Sequence, residues 1–278
     1  MIRPLLAAAA AVALTFAALP AQAADAALTA AVAGAQRTAE NTARDGARHP
    51  IETLAFWGLK PKQTVIEISP GGGYWIEILA PYAKATGGKY VAGVADLDNP
   101  RISEGAKKGR AAFEAKYADT AKYGAVGYAN FGMASKPLGE PGSADMVITA
   151  RNIHNWMWQP GMLDKALADF HAVLKPGGVL AVEEHRADPR PQVADARDGY
   201  VATASVIAAA EKAGFKLAGA SEVNANPKDT KDHPFGVWTL PPSRWTGPNG
   251  KADPAFDRTR YDAIGESDRM TLRFVKAG

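Results

Sequence analysis

The sequence predicts an α/β fold built on a mostly parallel sheet. Short β-branched runs alternate with segments of helical periodicity along most of the chain, the pattern of parallel strands joined by crossover helices. One such run, residues 64–69, passes through three consecutive glycines, Gly71 to Gly73, straight into an apolar-periodic segment. The chain has 278 residues and is 47% hydrophobic, enough for one large core.

Residues 1–23 read as a targeting segment. Arg3 supplies the positive start, the apolar stretch runs from 5 to 19, and Ala21-Gln-Ala23 fits the small-x-small cleavage rule. The expected outcome is export, to the periplasm, with cleavage after Ala23. The apolar stretch is shorter than the about 20 residues a membrane span needs, so no stable membrane anchor is expected.

A helix is expected over residues 24–49, with Leu28, Val32 and Ala35 inward and Arg37, Glu40 and Arg44 outward. Pro50 ends it. A second short helix over 51–57 stops at Gly58. Residues 24–63 would thus be helices packing on the domain that follows, either as a plain cap or as a wall of a ligand pocket. That domain occupies 64–278. Its strands are expected at 64–69, 90–95, 125–131, 146–150, 179–183, 214–221 and 270–276. Helices are expected at 74–85, 102–117, 161–174 and 201–213. The long connection 222–268 is rich in proline and glycine yet carries Phe235, Trp238, Trp245, Phe256 and Tyr261. Large aromatics argue against disorder, and a packed excursion bordering the ligand pocket is expected.

Composition excludes several classes. The 32 basic and 29 acidic side chains balance to +3, which gives no reason to expect nucleic acid or a membrane surface as partner. There is no cysteine, so disulfides, thiolate catalysis and cysteine–zinc sites are excluded.

Ligands of open α/β sheets bind beyond the carboxyl ends of the strands. There the chain offers a glycine turn that lets backbone approach a ligand, at Gly71 and Gly73. Asp96 closes the second strand, 23 residues beyond Gly73, where an acid can accept from ribose hydroxyls. Glu67 is an acid inside an apolar strand and needs a partner. The dinucleotide fingerprint G-x-G-x-x-G fails because Ile76 takes its third glycine position, which counts against NAD or FAD.

Glu67-x-x-x-Gly71-x-Gly73 resembles motif I of class I S-adenosylmethionine (SAM)-dependent methyltransferases, with Ser69 replacing the first glycine. Ala144-Asp-Met-Val-Ile-Thr-Ala150 resembles that family's fourth strand, and Leu174-Lys-Pro-Gly-Gly-Val-Leu-Ala-Val182 the turn into its fifth. Arg44-Asp45, Pro50, Glu52, Leu54 and Phe56-x-Gly58-Leu59-x-Pro61 further resemble a bacterial group of exported predicted methyltransferases. The resemblance covers about residues 36–278. It implies a Rossmann-like, doubly wound, seven-stranded sheet whose C-terminal strand is antiparallel. It also implies SAM as cofactor, held by Glu67, Ser69, Gly71, Gly73 and Asp96, with Asn130 and Phe131 where the family holds the adenine.

After the fourth strand come Asn152, His154 and Asn155. Polar groups there can face a methyl donor, and a histidine can serve as general base for an acceptor. His154 and Asn152 are therefore the candidate catalytic residues, against a bland reading in which the histidine only bonds the next loop. His154, Glu184, His185 and His233 have the composition of a metal site but no ligand spacing, so no metal is expected. The Asp/Asn-Pro-Pro-aromatic signature of DNA amino-methyltransferases is missing, which favours a small-molecule acceptor. A competing reading is a binding protein on the same scaffold, since SAM is made in the cytoplasm.

Overall fold

The computed structural model describes residues 25–277, so the targeting segment expected at 1–23 lies outside the described residues. The chain begins with α1 (Ala26–Ala33), α2 (Ala39–Thr42), α3 (Asp45–Arg48) and α4 (Pro50–Trp57). The single helix expected over 24–49 is therefore broken twice. Gly34 leaves α1 in an extended conformation, so the helical period does not carry through to Arg37 and Arg44. Both arginines turn inward instead of outward. Arg37 is buried and its guanidinium donates to both oxygens of Asp45, at 2.5 and 2.7 Å.

The βα units follow in the expected order. They are β1 (Thr64–Ile68), α5 (Ile76–Thr86), β2 (Lys89–Ala95), α6 (Glu104–Lys116), α7 (Thr120–Tyr123), β3 (Val126–Phe131) and β4 (Ala144–Ala150). Then come α8 (Ile153–Trp156), α9 (Met162–Val173), β5 (Leu174–His185), α10 (Thr203–Lys212) and β6 (Phe215–Ser221). The 222–268 segment contains β7 (Pro234–Val237) and α11 (Thr259–Ile264), and β8 (Arg269–Lys276) follows it.

One seven-stranded sheet has the order β3-β2-β1-β4-β5-β8-β6. β8 alone runs antiparallel, wedged between β5 and β6. This is the doubly wound, mostly parallel sheet with a C-terminal antiparallel strand that the resemblance implies. β1 is buried on both faces, which suits its run of β-branched residues. Ile66 and Ile68 join the core beneath α9 and α10, while Val65 joins the core beneath α1, α4 and α5. Alternation along the strand then puts Glu67 on the α5 side. Strand order reverses between β1 and β4, whose ends lie side by side with Ile68 opposite Thr149. That reversal opens the crevice where such sheets take ligands.

Candidate active site

β1 ends in a strained turn. Ser69, Gly71 and Gly73 all have positive φ, at 51°, 57° and 89°. Ser69 thus adopts the left-handed backbone usual for glycine, at the position where it replaces one. A cavity of about 140 Å³ opens here. Its walls are Ser69, Gly71 and Gly72 from the turn, Tyr74 and Trp75 beyond it, and Arg151 and Asn152 from the end of β4. Arg44 and Arg48, at the two ends of α3, also line it, so this one of the N-terminal helices contributes to the pocket wall.

Gly73 serves the turn differently. A β-carbon there would sit 1.7 Å from the hydroxyl of Tyr117, at the end of α6. Its missing side chain makes room for a tyrosine, and it does not line the cavity.

Glu67 lies in the cavity wall and has found its partner in Tyr90 of β2, whose hydroxyl donates to Oε2 at 2.6 Å. Burial outweighs that hydrogen bond and pushes the Glu67 carboxyl up to about 7. The sign for stability follows from linkage. As pH rises from about 4.5, the unfolded chain ionises Glu67 while the folded chain keeps it protonated, so stability falls until about pH 7. The loss is on the order of 3 kcal/mol. Urea unfolding between pH 4.5 and 8 should show this fall reduced in Glu67→Gln. Parallel curves for the two proteins would disprove the assignment.

Asp96 follows β2 and is buried; its Oδ1 accepts from the Asp98 N–H at 3.0 Å. Asn130 Oδ1 accepts from Arg110, which also donates to the Ala95 carbonyl, so this arginine braces the ends of β2 and β3. Phe131, expected against the adenine, packs in the core at 5.5 Å from Trp156 and 5.9 Å from Phe170. Asn152 donates its amide to the Ile68 carbonyl at 2.9 Å and to Thr149 Oγ1 at 3.2 Å. It ties the β1 and β4 ends together and also lines the cavity.

His154 and Glu184 meet because β4 and β5 are parallel neighbours. Glu184 Oε1 lies 2.9 Å from His154 Nδ1 and accepts from the His185 N–H; Oε2 accepts from the Ile153 and His154 N–H groups. The His185 ring lies tilted to that of His154, with centroids 5.2 Å apart, and places Nδ1 2.5 Å from Ser267 Oγ. Burial, with His154 and two arginines nearby, pushes the His185 imidazole well below its usual range. The cluster has ligand atoms within 4.8 Å of one another, which the sequence spacing did not show. Its carboxylate is already engaged on both oxygens by backbone and imidazole. His233, considered with them, pairs with Asp229 instead, at 2.8 Å.

Sequence reading missed the arginine network behind the cavity. Arg44 and Arg48 donate to Glu266, Arg269 joins Glu266 to Glu183, and Arg151 completes the chain at Glu183. Only the four-residue spacing of Arg44 and Arg48 hinted at it. The 222–268 segment lines none of the cavity. It supplies Glu266 to these arginines, and Trp238 to one side of His154 at 5.8 Å.

No protein-family model matches this chain, and no curated protein matches it. Solved structures do. The [4+2]-cyclase SpnF is 14% identical over 90% of this chain and 92% of its own, with a TM-score of 0.55. The candidate methyltransferase bound to the Trm112 activator of Haloferax volcanii is 17% identical over 91% of this chain and 99% of its own, at 0.50. A SAM-dependent methyltransferase from Aquifex aeolicus is 20% identical over 66% and 89%, at 0.48. The chain has the class I methyltransferase fold. In that fold the β1 turn, Asp96 and the β4 end share one edge of the sheet, which is where the cavity lies. No described helix is long and apolar enough to cross a membrane.

Proposed function

We propose that the protein is a SAM-dependent methyltransferase acting on a small-molecule acceptor. The observation that carries this is the cavity under the left-handed turn Ser69–Gly71, at the strand-order reversal, with the buried acid Asp96 closing the neighbouring strand. The residues present fit the donor. Gly71 and Gly72 offer backbone without side chains, and Asp96 offers its carboxylate to two ribose hydroxyls.

Bound SAM supplies an activated methyl group on a sulfonium. The chain's own task is then positioning. Trp75 and Tyr74 wall the cavity on the helix side, and Asn152 fixes the β4 end against the turn. Glu184 fixes the His154 ring through Nδ1 just past the β4 end; the ring is buried and lies outside the cavity lining, so it acts on an acceptor only if the site opens toward its Nε2. A second reading, ligand binding without transfer, is favoured by two observations. Asn152 is already committed to the backbone, and the same fold serves a protein named as a cyclase.

Calorimetry with S-adenosylhomocysteine on wild type and Asp96→Ala tests the proposal. Losing charged hydrogen bonds to the ribose should weaken binding by about 1.5–3 kcal/mol, roughly ten- to a hundredfold. Asp96 also holds the Asp98 N–H, so the variant should lose about 1 kcal/mol of stability besides. Equal affinities would refute the ribose contact. No binding to folded wild type would refute the donor reading.

A further inference from the structure

We propose that the arginine pocket beside the glycine turn is a carboxylate site anchored by Arg48 and flanked by Arg44 and Arg151. Arg48 is completely buried yet lines the cavity. Its Nε serves Glu266, at 3.3 and 3.0 Å from the two oxygens. Its Nη1 and Nη2 have no hydrogen-bond partner among the described residues. A buried guanidinium with both terminal nitrogens unmatched is costly unless a ligand supplies the acceptors. One face of the group is covered by the Tyr74 ring, 4.5 Å from its centroid. Acceptors must therefore come along the edge of the fork, the approach that suits a planar carboxylate with two parallel bonds.

Charge points the same way. Among the described residues, Arg44, Arg48, Arg151 and Arg269 form ion pairs with only two carboxylates, Glu183 and Glu266, so cations outnumber their paired anions. Glu67, the carboxyl group in the cavity wall, is pushed up to about 7 and so offsets only part of one charge at neutral pH. A cavity of about 140 Å³ holds a small group, not a nucleoside. It is the size for the charged end of a longer ligand whose remainder lies outside.

Two ligands could bring the carboxylate: the amino-acid tail of the methyl donor, or an acidic acceptor. The first rests on the function proposed above, while the pocket itself does not. Wild type, Arg48→Met and Arg48→Lys would be titrated with S-adenosylhomocysteine and with 5′-methylthioadenosine, which lacks the amino-acid tail. Each protein would also be melted in sodium acetate and in sodium chloride of equal strength. Arg48→Lys keeps a cation beside Glu266 and guards against loss of folding in Arg48→Met.

If the tail is the occupant, wild type binds S-adenosylhomocysteine at least tenfold tighter than 5′-methylthioadenosine. Both variants then lose most of that preference and keep their affinity for 5′-methylthioadenosine. If an acceptor is the occupant, S-adenosylhomocysteine binds all three proteins alike, while acetate raises the melting temperature of wild type only. Should wild type bind neither nucleoside, the donor reading fails and the acetate comparison still decides the pocket. Variants that match wild type in both measurements overturn the proposal.

Discussion

Glu266→Ala is expected to destabilise the protein by about 3–5 kcal/mol, the range for removing one partner of a buried ion pair. Glu266 is 8% exposed and accepts from Arg44, Arg48 and Arg269. Its removal leaves three guanidinium groups facing one another around Glu183 alone. Arg48 would then lose the last partner of its side chain. Glu266→Gln keeps an acceptor but not the charge, and should lose less. Urea unfolding at one pH measures both. A loss below about 1 kcal/mol in Glu266→Ala would mean that the arginines repel less than their placement implies.

Gly73→Ala should have the second large effect, a loss of about 2–4 kcal/mol from overpacking together with left-handed backbone. The added carbon would lie 1.7 Å from the Tyr117 hydroxyl and 2.9 Å from Cζ, at φ 89°. Tyr117→Phe alone should be nearly neutral, because that hydroxyl is buried near the Glu77 carboxylate but makes no hydrogen bond of good geometry among the described residues. Combining the two should recover part of the loss, since the hydroxyl is gone but the ring remains close. A double-mutant cycle by chemical unfolding measures the coupling. Strict additivity would show that the backbone, not Tyr117, demands glycine here.

The sheet was legible because buried parallel strands must be continuous apolar runs, and β1, β2, β4 and β5 are such runs. The turn was legible because its left-handed backbone at Gly71 and Gly73 favours glycine. Asp96 could be placed by its distance along the chain from those glycines. The N-terminal segment was misread because its helical period seemed unbroken in sequence, while Gly34 breaks it in space. Arg37 and Arg44 were therefore expected outward, although Arg37 turns to Asp45 across the break and Arg44 to a partner far along the chain. Glu266 lies 222 residues from Arg44, a separation across which local pattern carries no signal. The same limit hid the meeting of His154 with Glu184, which only the pairing of β4 with β5 brings about. Phe131 stands at the strand end read from the sequence, and its ring packs against Trp156 and Phe170, a placement that only the tertiary fold reveals.

The position of β8 sets the order in which this molecule can be completed. β6 reaches β5 only through β8, because β8 bonds to both and the two do not bond to each other. A nascent chain emerging from the ribosome can assemble β1 to β5 while β6 waits without a neighbour. Glu266 and Arg269 emerge with the same final stretch, so the arginine wall also stays uncompensated until then. Pairings this distant in sequence are slow to find, since a long loop must close before any contact forms. Until closure the β5 edge is open, which is the kind of exposed strand that a chaperone or a second chain can engage.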